Sequence, residues 1–250
     1  MNSPYDDPEL YDALFDALDF DLAFLADIAR RTGGPLLDVG CGTGRLLLRL
    51  ADLGFTVDGW EPSAPMAAQL RKKALAKGLM PRSFVGGVEA MPGAPRYGLA
   101  FCMFNAFAHN LTYQSQLALL RRMRACLKDG GRIAIGAGHP SFADWANPPA
   151  EPVLEHEVDW PERDCHLRLF DERTLDRIAL LQHSRITVLQ VGRDGSLIRR
   201  HDSATTLRWI FQPEFELLLH AAGFADWRIT GGYAGEPRAS DSQPLVVEAW

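Results

Sequence analysis

The chain has 250 residues, of which 47% are hydrophobic, and this is enough to bury a core without help from disulfides or metal ions. The 26 lysines and arginines stand against 32 aspartates and glutamates, so the formal net charge is −6 and the surface repels a phosphate backbone. Composition therefore argues against a disordered chain and against a nucleic-acid partner. The length fits one large domain, or one domain that carries an insert.

Cysteine usage and hydropathy indicate the compartment. Four cysteines lie far apart without a Cys-x-x-Cys pair, which predicts free thiols in a reducing environment and no zinc site of standard spacing. The acidic start of the sequence has no apolar run, and nowhere do about 18 apolar residues follow one another. We therefore expect a cytoplasmic protein with no membrane partner and no bound metal.

The first third of the sequence alternates helix and strand. Apolar residues with helical spacing over 10–28 predict one amphipathic leading helix. A short apolar run at 36–39 predicts a buried strand, and a glycine-rich turn and a helix over 45–52 follow it. A second strand ends at Glu61, and a crossover helix is expected over 62–77.

The same alternation continues to about residue 140. Strands are predicted at 83–85, 99–104 and 132–137, with a helix at 117–127 before the last of them. Near-continuous apolar strands that alternate with helices are typical of a parallel sheet covered on both faces.

The pattern changes after residue 150. Strand-like runs lie at 165–170, 178–181, 185–191 and 197–200, and the sequence at 193–196 is typical of a hairpin turn. These runs predict an antiparallel insert or lid over 151–210. A helix at 213–222 and strands at 227–230 and 245–249 return the chain to the main domain, which we expect to comprise 1–150 and 211–250.

Three glycines at alternate positions, Gly40, Gly42 and Gly44, lie between the first strand and the helix that follows it. Such a loop lets the backbone approach a ligand closely, and the helix N-terminus adds a partial positive charge. Arg45 stands where a dinucleotide fingerprint would need its third glycine, and no Gly-Lys-Ser/Thr follows. A phosphate-binding P-loop is thus excluded, and a nicotinamide-dependent oxidoreductase becomes a weaker alternative.

The stretch LLDVGCGTGRLLL at 36–48, followed by an acid at the end of the second strand, resembles class I S-adenosylmethionine-dependent methyltransferases. The turn Leu127-Lys128-Asp129-Gly130-Gly131 and the late helix also match this family. The segments at 104–109 and 232–237 resemble a bacterial subgroup with an antiparallel insert and diverse small substrates. The resemblance implies an α/β fold with a seven-stranded, mostly parallel Rossmann-like sheet, helices on both faces and a small antiparallel insert after strand five.

The resemblance also implies a set of residues that bind S-adenosylmethionine. Glu61 would accept hydrogen bonds from the ribose hydroxyls, and Asp38 would accept from the cationic methionine end. The full set is Asp38, Gly40, Cys41, Gly42, Gly44, Glu61, Pro62, Val88, Glu89 and Asn105.

Two positions depart from the family's pattern. Gly87 stands where related enzymes usually carry an acid that binds the adenine amino group. Glu89 could replace that acid, or it could be a solvated loop charge. Gly98 replaces another aspartate that is common before strand four, and we expect this change to be structural.

Several residues are candidates for the chemistry. His109 and His139 could act as proton acceptors; alternatively, His109 caps or hydrogen-bonds nearby backbone and His139 is a loop histidine. Asn105 would share a face with His109 if that segment is helical. The substrate candidates are Tyr11, which with Tyr5 would cover the mouth of the cofactor site, and Arg208, which either binds an acidic substrate group or pairs with a carboxylate.

These observations favour an enzyme that methylates a nitrogen or oxygen of a small molecule. The acidic charge and the lid-like insert suit an enclosed pocket better than a polymer track. A protein that binds the cofactor without transferring its methyl group is the alternative from another class. The oligomeric state is left open, with a homodimer as the assembly considered.

Overall fold

The computed structural model describes residues 3–138 and 141–250. The first half of the chain contains, in order, α1 (Pro8–Phe15), α2 (Leu22–Thr32), β1 (Leu36–Val39), α3 (Arg45–Asp52), β2 (Val57–Glu61), α4 (Ala64–Ala76), β3 (Ser83–Val85), β4 (Tyr97–Cys102) and α5 (Tyr113–Ala125). The second half contains β5 (Leu127–Ala137), α6 (Phe142–Ala146), β6 (Val153–Trp160), β7 (Cys165–Asp176), β8 (Leu181–Gly192), β9 (Leu197–Arg208), α7 (Gln212–Ala222), β10 (Trp227–Thr230) and β11 (Leu245–Ala249).

The larger sheet has seven strands in the order β10-β11-β5-β4-β1-β2-β3. The pairs from β5 to β3 are parallel, whereas β11 runs antiparallel to both of its neighbours. This sheet confirms the predicted fold class. Because β1 and β4 are adjacent although β2 and β3 intervene in the chain, the strand order reverses beside β1, where open α/β sheets bind their ligands.

Helices cover both faces of this sheet. On one face, leucines of α2, α3 and α4 such as Leu25, Leu47 and Leu70 pack on β1 and β4. On the other face, residues of α5 and α7 such as Leu119 and Phe215 pack on the opposite side of the same strands. Burial on both faces explains why the strands are apolar without alternation.

The leading helix predicted over 10–28 is wrong, because the chain breaks between α1 and α2. At the break, the side chain of Arg45 donates to both carboxylate oxygens of Asp21 at 2.7 Å and to the carbonyl oxygen of Leu18 at 2.8 Å. The carbonyl oxygen of Asp16 accepts from Arg49. Two arginines of α3 thus satisfy backbone groups that a continuous helix would have satisfied itself.

The second sheet is antiparallel, with the order β6-β7-β8-β9, and it lies where the insert is predicted. One face packs on α1, through Leu10 and Leu14 against Leu167, Leu169 and Val188. The predicted hairpin turn joins β8 to β9. The insert therefore covers the N-terminal segment rather than forming a separate body.

Some predicted boundaries within these sheets are wrong. The run at 178–181 is not a strand: the chain turns at 177–180, because Asp176 Oδ1 accepts from the backbone N–H groups of Ile178 and Ala179, each at 2.9 Å. Strand four ends at Cys102 rather than 104, since Phe104 and Asn105 have φ angles of 53° and 63°. Such angles are incompatible with an extended strand.

Two further observations concern membrane-spanning helices and the cysteines. Of the helices in the described ranges, none is both long enough and apolar enough to cross a membrane. All four cysteines are buried and free, as their spacing predicts.

Position 98 has no room for a side chain. Replacing Gly98 therefore tests how closely the neighbouring segments pack. A Cβ added to Gly98 would lie 1.7 Å from the carbonyl oxygen of Gly33. We expect Gly98→Ala to lower the free energy of unfolding by about 1–3 kcal/mol, because the backbone must shift to make room. Urea denaturation measures this change. The matched control is Gly34→Ala, whose Cβ would meet nothing within 4 Å; equal stability of the two variants would contradict the packing argument.

Candidate functional site

A cavity of about 470 Å³ lies at the carboxyl ends of β1, β2 and β4. The glycine loop, the strand ends and the segment around α1 form its walls. Of the residues singled out from the sequence, those that line it are Tyr5, Tyr11, Asp38, Gly40, Cys41, Gly42, Glu61, Pro62, Gly87, Val88 and His109. The fold thus brings most of the predicted site to one place.

The glycine loop is held in shape by β2. The backbone N–H groups of Gly40 and Cys41 both donate to the carbonyl oxygen of Trp60, at 2.8 and 3.0 Å. Gly40 has a φ of 75°, and a Cβ there would lie 2.8 Å from the Cβ of Ala106. A side chain at Gly40 would therefore be strained and would push the loop away from the segment that follows β4.

Gly44 differs from the other two glycines in its packing, and its contact with the cofactor stays a prediction. It is the N-cap of α3, with a φ of 92°. A Cβ at Gly44 would lie 2.4 Å from Cδ1 of Leu70 in α4. Gly44 thus permits close packing of α3 against α4 and lies outside the lining of the cavity.

Glu61 is fixed at the end of β2 by two backbone donors. Its Oε2 accepts from the N–H of Gly42 and its Oε1 from the N–H of Ser63, each at 2.8 Å. Burial raises the pKa of Glu61, and these two hydrogen bonds oppose the rise. Since each oxygen has a second lone pair, the carboxylate can still accept hydrogen bonds from a ligand.

Asp38 lies at the end of β1 and is buried. Burial raises its pKa to about 8, the carboxylates of Asp21 and Glu61 raise it as well, and the guanidinium of Arg45 opposes the rise. A positively charged group in the cavity would favour the ionised form of Asp38. The site thus suits a ligand with a cationic end.

Arg45, which the sequence analysis used only to exclude a dinucleotide fingerprint, is part of the cavity wall. It is buried with Asp21, and its guanidinium lies over the rings of Phe20 and Phe104, 5.6 and 5.2 Å from their centroids. The sequence carries no local signal for Asp21, because the pair joins residues from different helices.

The adenine end of the predicted site differs from expectation. Gly87 and Val88 line the cavity, and the carbonyl oxygen of Gly87 accepts from the indole N–H of Trp60 at 3.1 Å. Glu89 is exposed and lies outside the lining, but its carboxylate occupies the space that a side chain at Gly87 would take. Trp60 itself lines the cavity, and its hydrogen bond fixes this loop.

Residues 3–15 close the cavity on its outer side. The hydroxyl of Tyr5 lies 2.7 Å from Nε2 of His109, and the ring of Tyr5 lies 5.9 Å from that of Tyr11. Asp12 of α1 accepts from the Thr43 hydroxyl at 2.5 Å and from Lys73 at 2.9 Å. These contacts attach the N-terminal segment to the glycine loop and to α4.

Three other predicted site residues lie elsewhere. Asn105 caps the 3-10 helix at Ala106–His109 and accepts from the N–H of Gly138 through Oδ1, so it positions a loop and lies outside the lining of this cavity. Arg208 is buried and donates to Glu214 at 2.6 Å and to Gln116 at 2.8 Å, which is the carboxylate pairing that the sequence left open as the alternative to substrate binding. His139 lies outside the described residues.

A second cavity of about 500 Å³ lies between residues 3–15, the exit of β4 and one face of the second sheet. Four residues line both cavities: Tyr5, Tyr11, Phe104 and His109. The aromatic rings of Tyr5, Tyr11 and His109 therefore stand at the boundary between a space at the glycine loop and a space at the insert.

Comparison with known proteins identifies the kind of protein that carries this site. A family model described as a methyltransferase domain matches residues 36–131. The cypemycin N-terminal methyltransferase of Streptomyces sp is 26% identical over 216 residues, which are 86% of this chain and 82% of that relative. These matches indicate a class I S-adenosylmethionine-dependent methyltransferase. This assignment favours methyl transfer over the nicotinamide alternative.

Other methyltransferases resemble the chain in part or in fold. A dTDP-3-amino-3,6-dideoxy-alpha-D-glucopyranose N,N-dimethyltransferase of Streptomyces fradiae is 36% identical over 139 residues, about half of each chain (51% of both). The CcbJ methyltransferase of Streptomyces caelestis has the same fold, with a TM-score of 0.75, 24% identity and coverage of 99% and 97% of the two chains. The structure of S-adenosylmethionine-bound CalS10 from Micromonospora echinaspora gives a TM-score of 0.72 at 20% identity, with coverage of 96% and 94%.

The residues at the first cavity fit the methyl donor of this family. S-adenosylmethionine carries an ammonium group, two ribose hydroxyls and a cationic sulfonium, all of which favour carboxylate partners. The methyltransferase presents two buried carboxylates, Asp38 and Glu61, at the ends of adjacent strands. These two carboxylates therefore match the cationic and hydroxyl groups of S-adenosylmethionine.

Replacing Glu61 tests this fit. We expect Glu61→Gln to weaken the binding of S-adenosylhomocysteine by about 1–3 kcal/mol, because the amide NH₂ would face one of the two backbone donors and an acceptor would be lost. Calorimetric titration measures the affinity. The control Glu162→Gln changes an exposed acid far from the cavity lining and should bind as the parent does. Unchanged affinity in Glu61→Gln would remove Glu61 from the site.

Proposed function

We propose that this methyltransferase transfers a methyl group to an amine nitrogen of a small molecule, and that His109 takes up the proton that the amine releases. The observation that carries this proposal is the position of His109. Its ring lines both cavities, and its Nε2 lies 2.7 Å from the Tyr5 hydroxyl. A group at this boundary can reach a reacting atom between the donor and the acceptor.

The names of the relatives support a nitrogen acceptor. The cypemycin enzyme is an N-terminal methyltransferase, and the Streptomyces fradiae enzyme is an N,N-dimethyltransferase of an amino sugar. The second name specifies nitrogen, and a peptide N-terminus carries an amine, whereas the sequence of this chain leaves nitrogen and oxygen open. The two names also differ in the type of molecule, a peptide end and a sugar, so they support the amine without fixing the rest of the substrate.

The first cavity would hold the methyl donor. Glu61 would accept hydrogen bonds from the ribose hydroxyls, Asp38 would face the methionine end, and Val88 would contact the adenine. When bound, S-adenosylmethionine supplies an electrophilic methyl group. Tyr5 and Tyr11, which cover the cavity, would exclude water from the reacting atoms.

The protein's part in the chemistry is to accept a proton. An amine attacks through its lone pair, so an ammonium form must first lose a proton. Desolvation by the surrounding protein lowers the pKa of His109, although part of the ring faces the cavities, and this keeps the imidazole neutral. Burial raises the pKa of Tyr5, so its hydroxyl keeps its proton and can donate to Nε2.

This arrangement gives a balanced proton path. The oxygen of Tyr5 accepts a proton from the ammonium group while the original hydroxyl proton passes to Nε2 of His109. Tyr5 ends neutral, the amine gains a free lone pair, and His109 becomes imidazolium. Tyr5 thus orients the amine and His109 stores the charge.

A substitution at His109 tests its role. We expect His109→Gln to lower kcat about 100-fold or more, because glutamine can still hydrogen-bond Tyr5 but cannot take up a proton. Affinity for S-adenosylhomocysteine should stay within about twofold of the parent, since no donor-binding carboxylate changes. The control is His220→Ala, at an exposed histidine of α7. Full turnover in His109→Gln would end the assignment.

The pH dependence of kcat provides an independent test. Because the pKa of His109 is lowered from 6.5, the neutral imidazole persists to a more acidic pH than it would in water. We expect kcat to fall on the acid side with a midpoint below 6.5, as His109 becomes protonated before the reaction. The residual activity of His109→Gln should lack this step; the same acid limb in both proteins would point to another group.

A further inference from the structure

The face of the second sheet that lines the second cavity is apolar at one end and polar at the other. At the apolar end, Leu169 pairs in register with Val188 and both pack on α1. At the polar end, Asp171 aligns through Ile186 with Ser203, and Ser184 aligns with Thr205. We call the residues Asp171, Gln182, Ser184, Ser203 and Thr205 the polar end; all of them line the cavity.

The two carboxylate oxygens of Asp171 differ in their hydrogen bonding. Its Oδ2 accepts from Nε of Arg173 at 2.6 Å and from the Ser184 hydroxyl at 3.1 Å. Its Oδ1 is buried and has no hydrogen-bond partner within residues 3–138 and 141–250, while Asp171 as a whole is 8% exposed. A buried carboxylate oxygen without a donor costs free energy, so its partner is expected to come from a ligand.

The charges around Asp171 indicate what that partner must supply. Nη2 of Arg173 also lies 2.5 Å from Glu155, so one guanidinium serves two carboxylates. The formal charge of these three side chains is −1. At Oδ1 of Asp171, the missing partner is therefore a hydrogen-bond donor.

We propose that Asp171 accepts a hydrogen bond from a hydroxyl group of the methyl acceptor, so that the substrate is a small amine that also carries hydroxyl groups. This inference rests on the proposed amine methylation. Tyr5 and His109 lie where the two cavities meet, whereas Asp171 lines the second cavity but not the first. The group that reaches Asp171 is therefore a different part of the molecule from the reacting nitrogen.

The neighbours of Asp171 favour a hydroxyl group over a second ammonium group. Arg173 already offsets part of the negative charge, and Ser203 and Thr205 present hydroxyls that both donate and accept. A ligand hydroxyl can donate to Oδ1 of Asp171 and accept from such a neighbour at the same time. An ammonium group could only donate.

Binding of four amines to the protein loaded with S-adenosylhomocysteine tests this recognition. The amines are cyclohexylamine, aminocyclohexanol, diaminocyclohexane and trialanine, and calorimetry measures each affinity. We expect aminocyclohexanol to bind more tightly than the other three. Asp171→Asn should weaken its binding about tenfold or more and leave cyclohexylamine unchanged, because a hydrogen bond to a charged acceptor is lost. The control Glu172→Gln alters the exposed neighbour on the opposite face of β7.

A second variant tests the proposal independently, in case Asp171→Asn does not fold. Thr205→Val removes a hydroxyl from the polar end without touching the ion pair of Asp171 and Arg173. We expect it to weaken aminocyclohexanol about threefold to tenfold, with the affinity for S-adenosylhomocysteine and the midpoint of thermal unfolding unchanged.

Each outcome decides the question. Equal affinities for aminocyclohexanol and cyclohexylamine, a preference for diaminocyclohexane or trialanine, or no binding of any amine would overturn hydroxyl recognition. Methyl transfer is measured separately by mass spectrometry of the amines. Transfer that is indifferent to Asp171 would leave amine methylation standing and end the role of Asp171. Binding that depends on Asp171 without transfer to any amine would do the reverse.

Discussion

The buried ion pair of Arg45 and Asp21 determines how the parts of the site meet. Both side chains are withdrawn from water, 8% and 0% exposed, and two hydrogen bonds of 2.7 Å join them. Burying either charge alone would cost several kcal/mol, so the pair constrains both elements to one arrangement. It connects the break between α1 and α2 to the first turn of α3, directly after the glycine loop. The contact of Arg45 with the ring of Phe104 extends the constraint to the exit of β4.

Desolvation shifts the pKa values of four ionisable groups of the first cavity in the sense that favours their neutral forms. Burial raises the pKa values of Asp38, Glu61 and Tyr5 and lowers that of His109, so every shift favours the neutral form. The consequences differ with the role of each group. Burial disfavours the negative charge of the two carboxylates, and a cationic ligand would offset this cost. For His109, the neutral form is the one that can accept a proton.

The features of the fold and site that could be predicted are those determined by residues close together in the sequence. The strands around the glycine loop, the acid at the end of β2 and the two closing strands all follow from short runs of residues, and the structure has them at or near the predicted positions. Gly44 shares the local pattern of Gly40 but contacts Leu70, which lies far along the chain.

The features that were not predicted share this cause. The helix break and the hydrogen bond from the N–H of Gly138 to Asn105 both depend on residues of other elements. Helical periodicity continues across 16–21, so no property of that segment alone announces that α3 will bind its carbonyl groups. The polar end of the insert was missed because its residues gather only through the register of β7, β8 and β9.

The N-terminal segment has a consequence for biosynthesis. Residues 3–15 leave the ribosome early, yet their partners are Thr43, Lys73, His109 and the leucines of β7, and the last of these follow more than 150 residues later. Contacts between such distant residues form only after both have been synthesised. The segment that encloses both cavities can therefore complete its docking only after the insert has been synthesised, and shorter nascent chains carry the glycine loop without this cover.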